Sequence, residues 1–149
     1  MILTKCCIQG MQLLPHCQRY QGKKAEAALL LKSIYEASLS FEGARLPELY
    51  CGFPRRYEAG PTRYPVACSP QDWAAGAPFL LLSALLGLQP DAEHGCLLVE
   101  QPLLPDWLQT VDIPGIYVGG KSMHLRFVQS GSTTEVVIVE EDGVEVCVL

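Results

Sequence analysis

Charge is scarce in this sequence, and positive charge scarcer still. Only 18% of the residues are Asp, Glu, Lys or Arg, and the net charge is −5. The longest basic groupings are the pairs Lys23-Lys24 and Arg55-Arg56. Phosphate-backbone binding needs clustered Lys and Arg, so nucleic acid is excluded as a general partner. Cys-x-x-Cys is also missing. The seven cysteines, Cys6, Cys7, Cys17, Cys51, Cys68, Cys96 and Cys147, form no zinc-type spacing. A ligand set of Cys6, Cys7, His16 and Cys17 is conceivable only at unusual spacing. Free thiols in a reducing cytosol are the simpler expectation. There is no proper signal-peptide h-region with a cleavage site at the N-terminus. The apolar run Trp73–Leu88 is interrupted by Gly76 and Pro78 and is short for a bilayer span. No membrane association is expected. Gly-rich phosphate loops are absent too, since Val118-Gly119-Gly120-Lys121 reads as a turn between strands. His16, His94 and His124 stand in unrelated contexts, without a Ser or Cys partner at motif spacing, so nucleophilic triad chemistry has no support.

What is plentiful is apolar residue, at 49% of the chain. A length of 149 residues suffices for one ordinary core. Such richness fits a piece whose apolar surface belongs against something else. Residues 1–20 carry no motif, although Ile2, Leu3, Ile8, Met11, Leu13 and Leu14 fit a helix ending before Pro15. From Lys23 to about Phe41 the pattern is helical, with Ala27, Leu30, Leu31, Ile34, Ser38 and Phe41 at spacings of three and four. A loop rich in Pro, Gly and aromatics runs from Gly43 to Cys68. Loops of that length are usually functional or disordered, and Tyr50, Phe53, Tyr57 and Tyr64 argue against disorder. Ser69, Pro70 and Asp72 read as N-cap, first helical position and capping box of a buried helix to Leu86. Pro78 removes one helical hydrogen bond and should kink it, Gly87 fits its C-terminal cap, and Pro90 stops continuation. Beyond Asp91, Leu97–Val99, Ile113–Val118, Ser122–Val128, Glu135–Glu140 and Val144–Val148 read as strands. Ser130-Gly131-Ser132 and Asp142-Gly143 are turn signals, the latter a hairpin cue.

One acidic residue stands out. Glu48 follows the rigid Pro47, between helices, beside aromatics able to stack on a pyranose. Hydrolysis of a glycosidic bond takes two carboxyl groups, one to protonate the leaving oxygen and one, in an inverting enzyme, to deprotonate water. A lone loop Glu is also compatible with a salt bridge or a solvated position.

Leu46-Pro47-Glu48-Leu49, Cys51-Gly52-Phe53-Pro54-Arg55, Tyr64-Pro65-Val66-Ala67-Cys68-Ser69-Pro70-Gln71 and Trp73-Ala74-Ala75-Gly76-Ala77-Pro78-Phe79 together resemble bacterial amylo-alpha-1,6-glucosidase (glycogen debranching) proteins. Leu104-Pro105, Trp107-Leu108, Val118-Gly119-Gly120 and Leu125-Arg126-Phe127 resemble that family's C-terminal β segment. The resemblance runs from about residue 22 to the end. It implies an α+β fragment: the last helices of an (α/α)6 toroid, the six-hairpin glycosidase domain, in residues 1–90, then a small antiparallel β meander in 91–149. It implies Glu48 as general base and an α-glucan of glycogen type as substrate, and the free thiols add the expectation of a cytoplasmic setting. Two-carboxylate hydrolysis needs no metal or organic cofactor. Tyr50, Phe53 and Trp73 are candidate sugar-binding residues, although a Trp leading a buried helix, as Trp73 does, is more often core. Arg55 and Arg56 are candidates for orienting hydroxyls or carboxylates, alongside plain surface roles. The Trp-Pro-His-Asp-Asn-like segment of relatives is not reproduced in residues 1–20, and the general acid of such enzymes lies far upstream. The chain alone is therefore expected to be inactive, and to associate with itself or with an upstream half of the barrel. The rival expectation is a non-catalytic interaction or carbohydrate-binding module.

Overall fold

The computed structural model describes residues 23–54 and 59–149. It divides into two compact units, Met1–Leu82 and Ser83–Leu149.

In the first unit, α1 spans Lys24–Ser38. Its sequence repeats Ala and Leu, good helix formers, at a period that collects one apolar stripe. Ala27, Leu30, Leu31, Ala37 and Ser38 are buried. The helix ends by tightening: Ser40 N–H donates to Ala37 O (3.1 Å) and Phe41 N–H to Ser38 O (3.0 Å). A 3₁₀ turn, Glu42–Ala44, follows. The loop after it doubles back on itself. Cys51 N–H donates to Thr62 O (2.8 Å) and Tyr64 N–H to Leu49 O (3.3 Å), around an antiparallel Tyr50–Arg63 bridge.

α2 spans Asp72–Leu86 with Pro78 inside it. Its start differs from the capping box read in the sequence. The first helical bond runs from Ala75 N–H to Gln71 O (3.0 Å), so Gln71, not Ser69, holds the N-cap position. The Ser69–Pro70 peptide is cis. Asp72 lies in the first turn, where the helix dipole favours a carboxylate. Gly87 ends the helix at φ 68°, as glycine at the C-terminal cap predicts.

The second unit holds six strands: β1 (Leu88–Asp91), β2 (Cys96–Val99), β3 (Thr110–Val118), β4 (Lys121–Ser130), β5 (Thr133–Glu141) and β6 (Glu145–Val148). β3, β4 and β5 form a consecutive antiparallel sheet with β4 central. Gly119 and Gly120, both at positive φ, close its first hairpin as a two-residue turn. Alternation on β4 buries Met123, Leu125 and Phe127 and turns Ser122, His124 and Arg126 outward. The second sheet has the order β1-β2-β6, with β6 parallel to β2. The buried residues of this unit also include Leu97, Val99, Leu104, Val118 and Val144.

The last helices of an (α/α)6 toroid are not what this chain forms. The described residues hold two α-helices and two three-stranded sheets, and the dense packing between elements is strand on strand. Between α1 and α2 lie Pro47, Pro54, Pro61, Pro65 and Pro70, each lacking the N–H a helix would need, and the backbone pairs as a narrow ladder instead. The closing β segment is also not one antiparallel meander. Asp142-Gly143 turns the chain out of the β3-β4-β5 sheet, and β6 pairs in parallel with β2 rather than with β5.

Candidate active site

Glu48 is half-buried at the start of the doubled-back loop. Two bonds tie it to a residue twenty positions on. Its N–H donates to Cys68 O at 2.8 Å, and its Oε2 accepts from Cys68 N–H at 3.2 Å. The preceding Leu46 and Pro47 are buried, which anchors the backbone on that side. Arg63 stiffens the opposite limb by donating from Nη2 to Ala67 O (3.2 Å). The carboxylate is thus fixed through one oxygen, while Oε1 takes no hydrogen bond among the described residues. A carboxylate held through one oxygen keeps the other for a water or a hydroxyl.

Tyr50 lies two residues along the same limb. Its ring meets that of Phe41, with centroids 5.7 Å apart and planes tilted by 41°. Phe53 is farther out on the loop and 71% exposed. Trp73 stands half-buried in the first turn of α2. Glu48 and Tyr50 are near each other by sequence alone, and no hydrogen bond or ring contact joins Phe53 or Trp73 to them among the described residues. Arg55 and Arg56, and the conceivable ligand set Cys6, Cys7, His16 and Cys17, lie outside the described residues. Among the described residues no cluster of His, Cys, Asp and Glu is placed to hold a metal ion.

A second polar cluster was not anticipated from the sequence. On the outer face of the β3-β4-β5 sheet, Arg126 Nε donates to both oxygens of Asp112 (3.0 Å each), and His124 Nε2 lies 2.9 Å from Asp112 Oδ1. The Arg126 hydrogen bond, then that of His124, holds the Asp112 carboxyl below its usual range. The partner of His124 and Arg126 is set by the Asp112–Arg126 register. A third pair, His94 Nδ1 with Asp91 Oδ2 at 2.7 Å, closes the β1–β2 turn, where Asp91 Oδ1 also accepts from the N–H groups of Glu93 and His94. The His94 hydrogen bond lowers the Asp91 pKa. Burial pushes the neighbouring Cys96 thiol up.

Compared with known proteins, the chain matches no family model, no curated protein and no solved structure. No helix among the described residues is long and apolar enough to cross a membrane.

Proposed function

We propose that this chain supplies the general-base half of an amylo-alpha-1,6-glucosidase-type site, acting on an α-1,6-linked glucose stub of a glycogen-like glucan. Glu48 is the base that deprotonates the attacking water. The observation that carries this reading is the tether of Glu48 to Cys68 N–H, which fixes the carboxylate and leaves one oxygen to accept a proton. The motif Leu46-Pro47-Glu48-Leu49 and the aromatics Tyr50, Phe53 and Trp73 support it by residue type. The leaving oxygen must be protonated by a second carboxylic acid, which the resemblance places upstream of the matched residues. The chain alone then lacks turnover, and an upstream half is its natural partner. The reducing cytosol is the proposed setting, and the free thiols of Cys51, Cys68, Cys96 and Cys147 suit it.

The test is glucose release from a phosphorylase limit dextrin. The chain alone is expected to release none. Joined to an upstream segment bearing the general acid, it is expected to release glucose, and Glu48→Gln should lower that rate by a factor of about 10²–10⁴. Release insensitive to Glu48→Gln overturns the assignment of the base. The rival reading, a non-catalytic carbohydrate-binding module, draws on the exposure of Phe53. It is favoured instead if the chain binds the dextrin and Phe53→Ala abolishes binding while Glu48→Gln leaves both binding and rate unchanged.

A further inference from the structure

Sheet edges carry unpaired main-chain donors and acceptors, and proteins usually blunt them with Pro, bulges, charge or brevity. The Ser83–Leu149 unit has four edges, because β1 and β6 bound one sheet and β3 and β5 the other. Three of them are short or interrupted, while β5 is regular as far as Ile138 and carries its irregularity and most of its acids beyond that point. β1 is four residues long and contains Pro90. β6 is four residues long. β3 is broken by a register shift at Pro114-Gly115. β5 runs nine residues with neither Pro nor Gly. Its centre is apolar, and Val137, Ile138 and Val139 are 43%, 45% and 45% exposed. Acids bracket that centre, with Glu135 before it and Glu140, Glu141 and Asp142 after it.

The register shows which groups face outward. The β4–β5 hairpin closes at Ser130 and Thr133 across a two-residue loop. The closing pair of such a hairpin is hydrogen-bonded, and bonded and non-bonded pairs alternate beyond it. Thr133, Glu135 and Val137 therefore turn their main-chain groups to β4. Thr134, Val136 and Ile138 turn theirs to the open side. The Thr134 hydroxyl accepts from Leu104 N–H (2.8 Å), which marks where the open edge begins. The irregularity after Ile138, where Leu125 pairs with Ile138 but His124 with Glu140, marks where the regular edge ends.

We infer that the β5 edge is a docking strand for an extended segment of a partner protein, apolar in alternation and flanked by Lys or Arg, which adds to Thr134–Ile138 as a fourth strand. Main-chain bonds to Val136 and Ile138 supply the pairing, and the flanking acids select the partner. Charge weighs against a second copy of this chain in the register that uses the whole of β5, and the self-pairing centred on Val136, which sets Glu135 opposite Val137, is left to the sedimentation arm of the test. Full antiparallel pairing of two β5 strands about Ile138 would set Glu135 of each copy opposite Glu141 of the other, and like charges directly opposite are destabilising. A basic-flanked segment meets the same acids favourably. This inference is independent of the role proposed for Glu48.

The probe is a fluorescein-labelled peptide, KKTVTVTKK, with EETVTVTEE as its counterpart, titrated by anisotropy against the whole chain. Saturable binding of the basic peptide is expected, weakened by salt and at least about tenfold tighter than that of the acidic one. Amide exchange at Val136 and Ile138 should slow on binding. Val136→Pro removes an outward N–H that the β4 ladder does not use, and should weaken binding about tenfold, the size of one lost hydrogen bond, with unchanged circular dichroism. Should that variant fail to fold, the Glu140→Lys, Glu141→Lys double variant carries the test by reversing the preference between the peptides. Absence of saturable binding, equal binding of both peptides, or exchange protection elsewhere overturns the proposal. So does a dimer in sedimentation that Val136→Pro dissolves, because the edge would then belong to a second copy.

Discussion

Gly87 is the residue on which two elements depend at once. Its backbone stands at φ 68°, and a Cβ built there would lie 2.0 Å from Glu100 O. The same peptide is used in pairing, since Glu100 N–H donates to Gly87 O at 3.0 Å. The residue therefore ends α2 in the left-handed region and lets the β1–β2 hairpin close against its backbone. Gly87→Ala is expected to cost about 1–2 kcal/mol from the left-handed backbone alone, with the contact at Glu100 adding to it. Urea unfolding at neutral pH measures this, and a midpoint unmoved by the substitution would show that neither constraint matters. The sequence marks Gly87 as a helix stop because glycine fits the left-handed C-terminal cap. The strand partner could not be read, since Glu100 reaches it only through pairing of β1 with β2. Glu48 has the same history. Its residue type and Pro47 singled it out, yet the Cys68 N–H that tethers it lies across a loop whose closure depends on backbone pairing rather than on any local pattern.

At the scale of elements, local periodicity was enough to find α1, α2 and most strands, because one buried face imposes a period of 3.6 or 2 wherever it occurs. It was not enough to choose neighbours. Alternation assigns faces and leaves open which strand lies alongside, so the parallel β2–β6 pairing was invisible and Asp142-Gly143 looked like a hairpin. β1 was hidden because Pro90 argues against a strand, although an edge position tolerates it. The Asp112, His124 and Arg126 cluster was hidden for the same reason, being a product of β3–β4 register. It has a pH signature. The folded-state pKa of Asp112 is depressed, first by the Arg126 hydrogen bond and then by that of His124. Its contribution is therefore fully present above the unfolded value of about 3.9, and is lost as pH falls from there through the lower folded value. Thermal unfolding followed from neutral pH down to about 2 should show a shallower acid decline for Asp112→Asn than for the unaltered chain, with the variant less stable at neutral pH. Coincident profiles would show that the exposed cluster is energetically idle, as many surface ion pairs are.

For the whole molecule, the excess of apolar residue has an address. α2 buries Ala74, Ala77, Leu81, Ala84, Leu85 and Leu86, while Trp73, Leu80 and Leu82 are half-buried. Phe79 on the same helix is 75% exposed, and Leu29 on α1 is 67% exposed. Large side chains left in water on two helices mark an interface or an aggregation liability when they belong to a patch, and are ordinary when scattered singly. The reading of this chain as one half of a larger site favours the first. Concentration-dependent sedimentation and binding of an apolar dye are then expected at neutral pH. Leu29→Gln with Phe79→Gln should reduce both while leaving the urea midpoint within about 0.5 kcal/mol, since exposed side chains contribute little to folding and Gln is a fair helix former. A monomer that binds no dye, and is indifferent to the double substitution, would mean that these side chains serve no partner. The proposed association with an upstream half would then lose its support here, and the self-sufficient binding module would become the better account of its function.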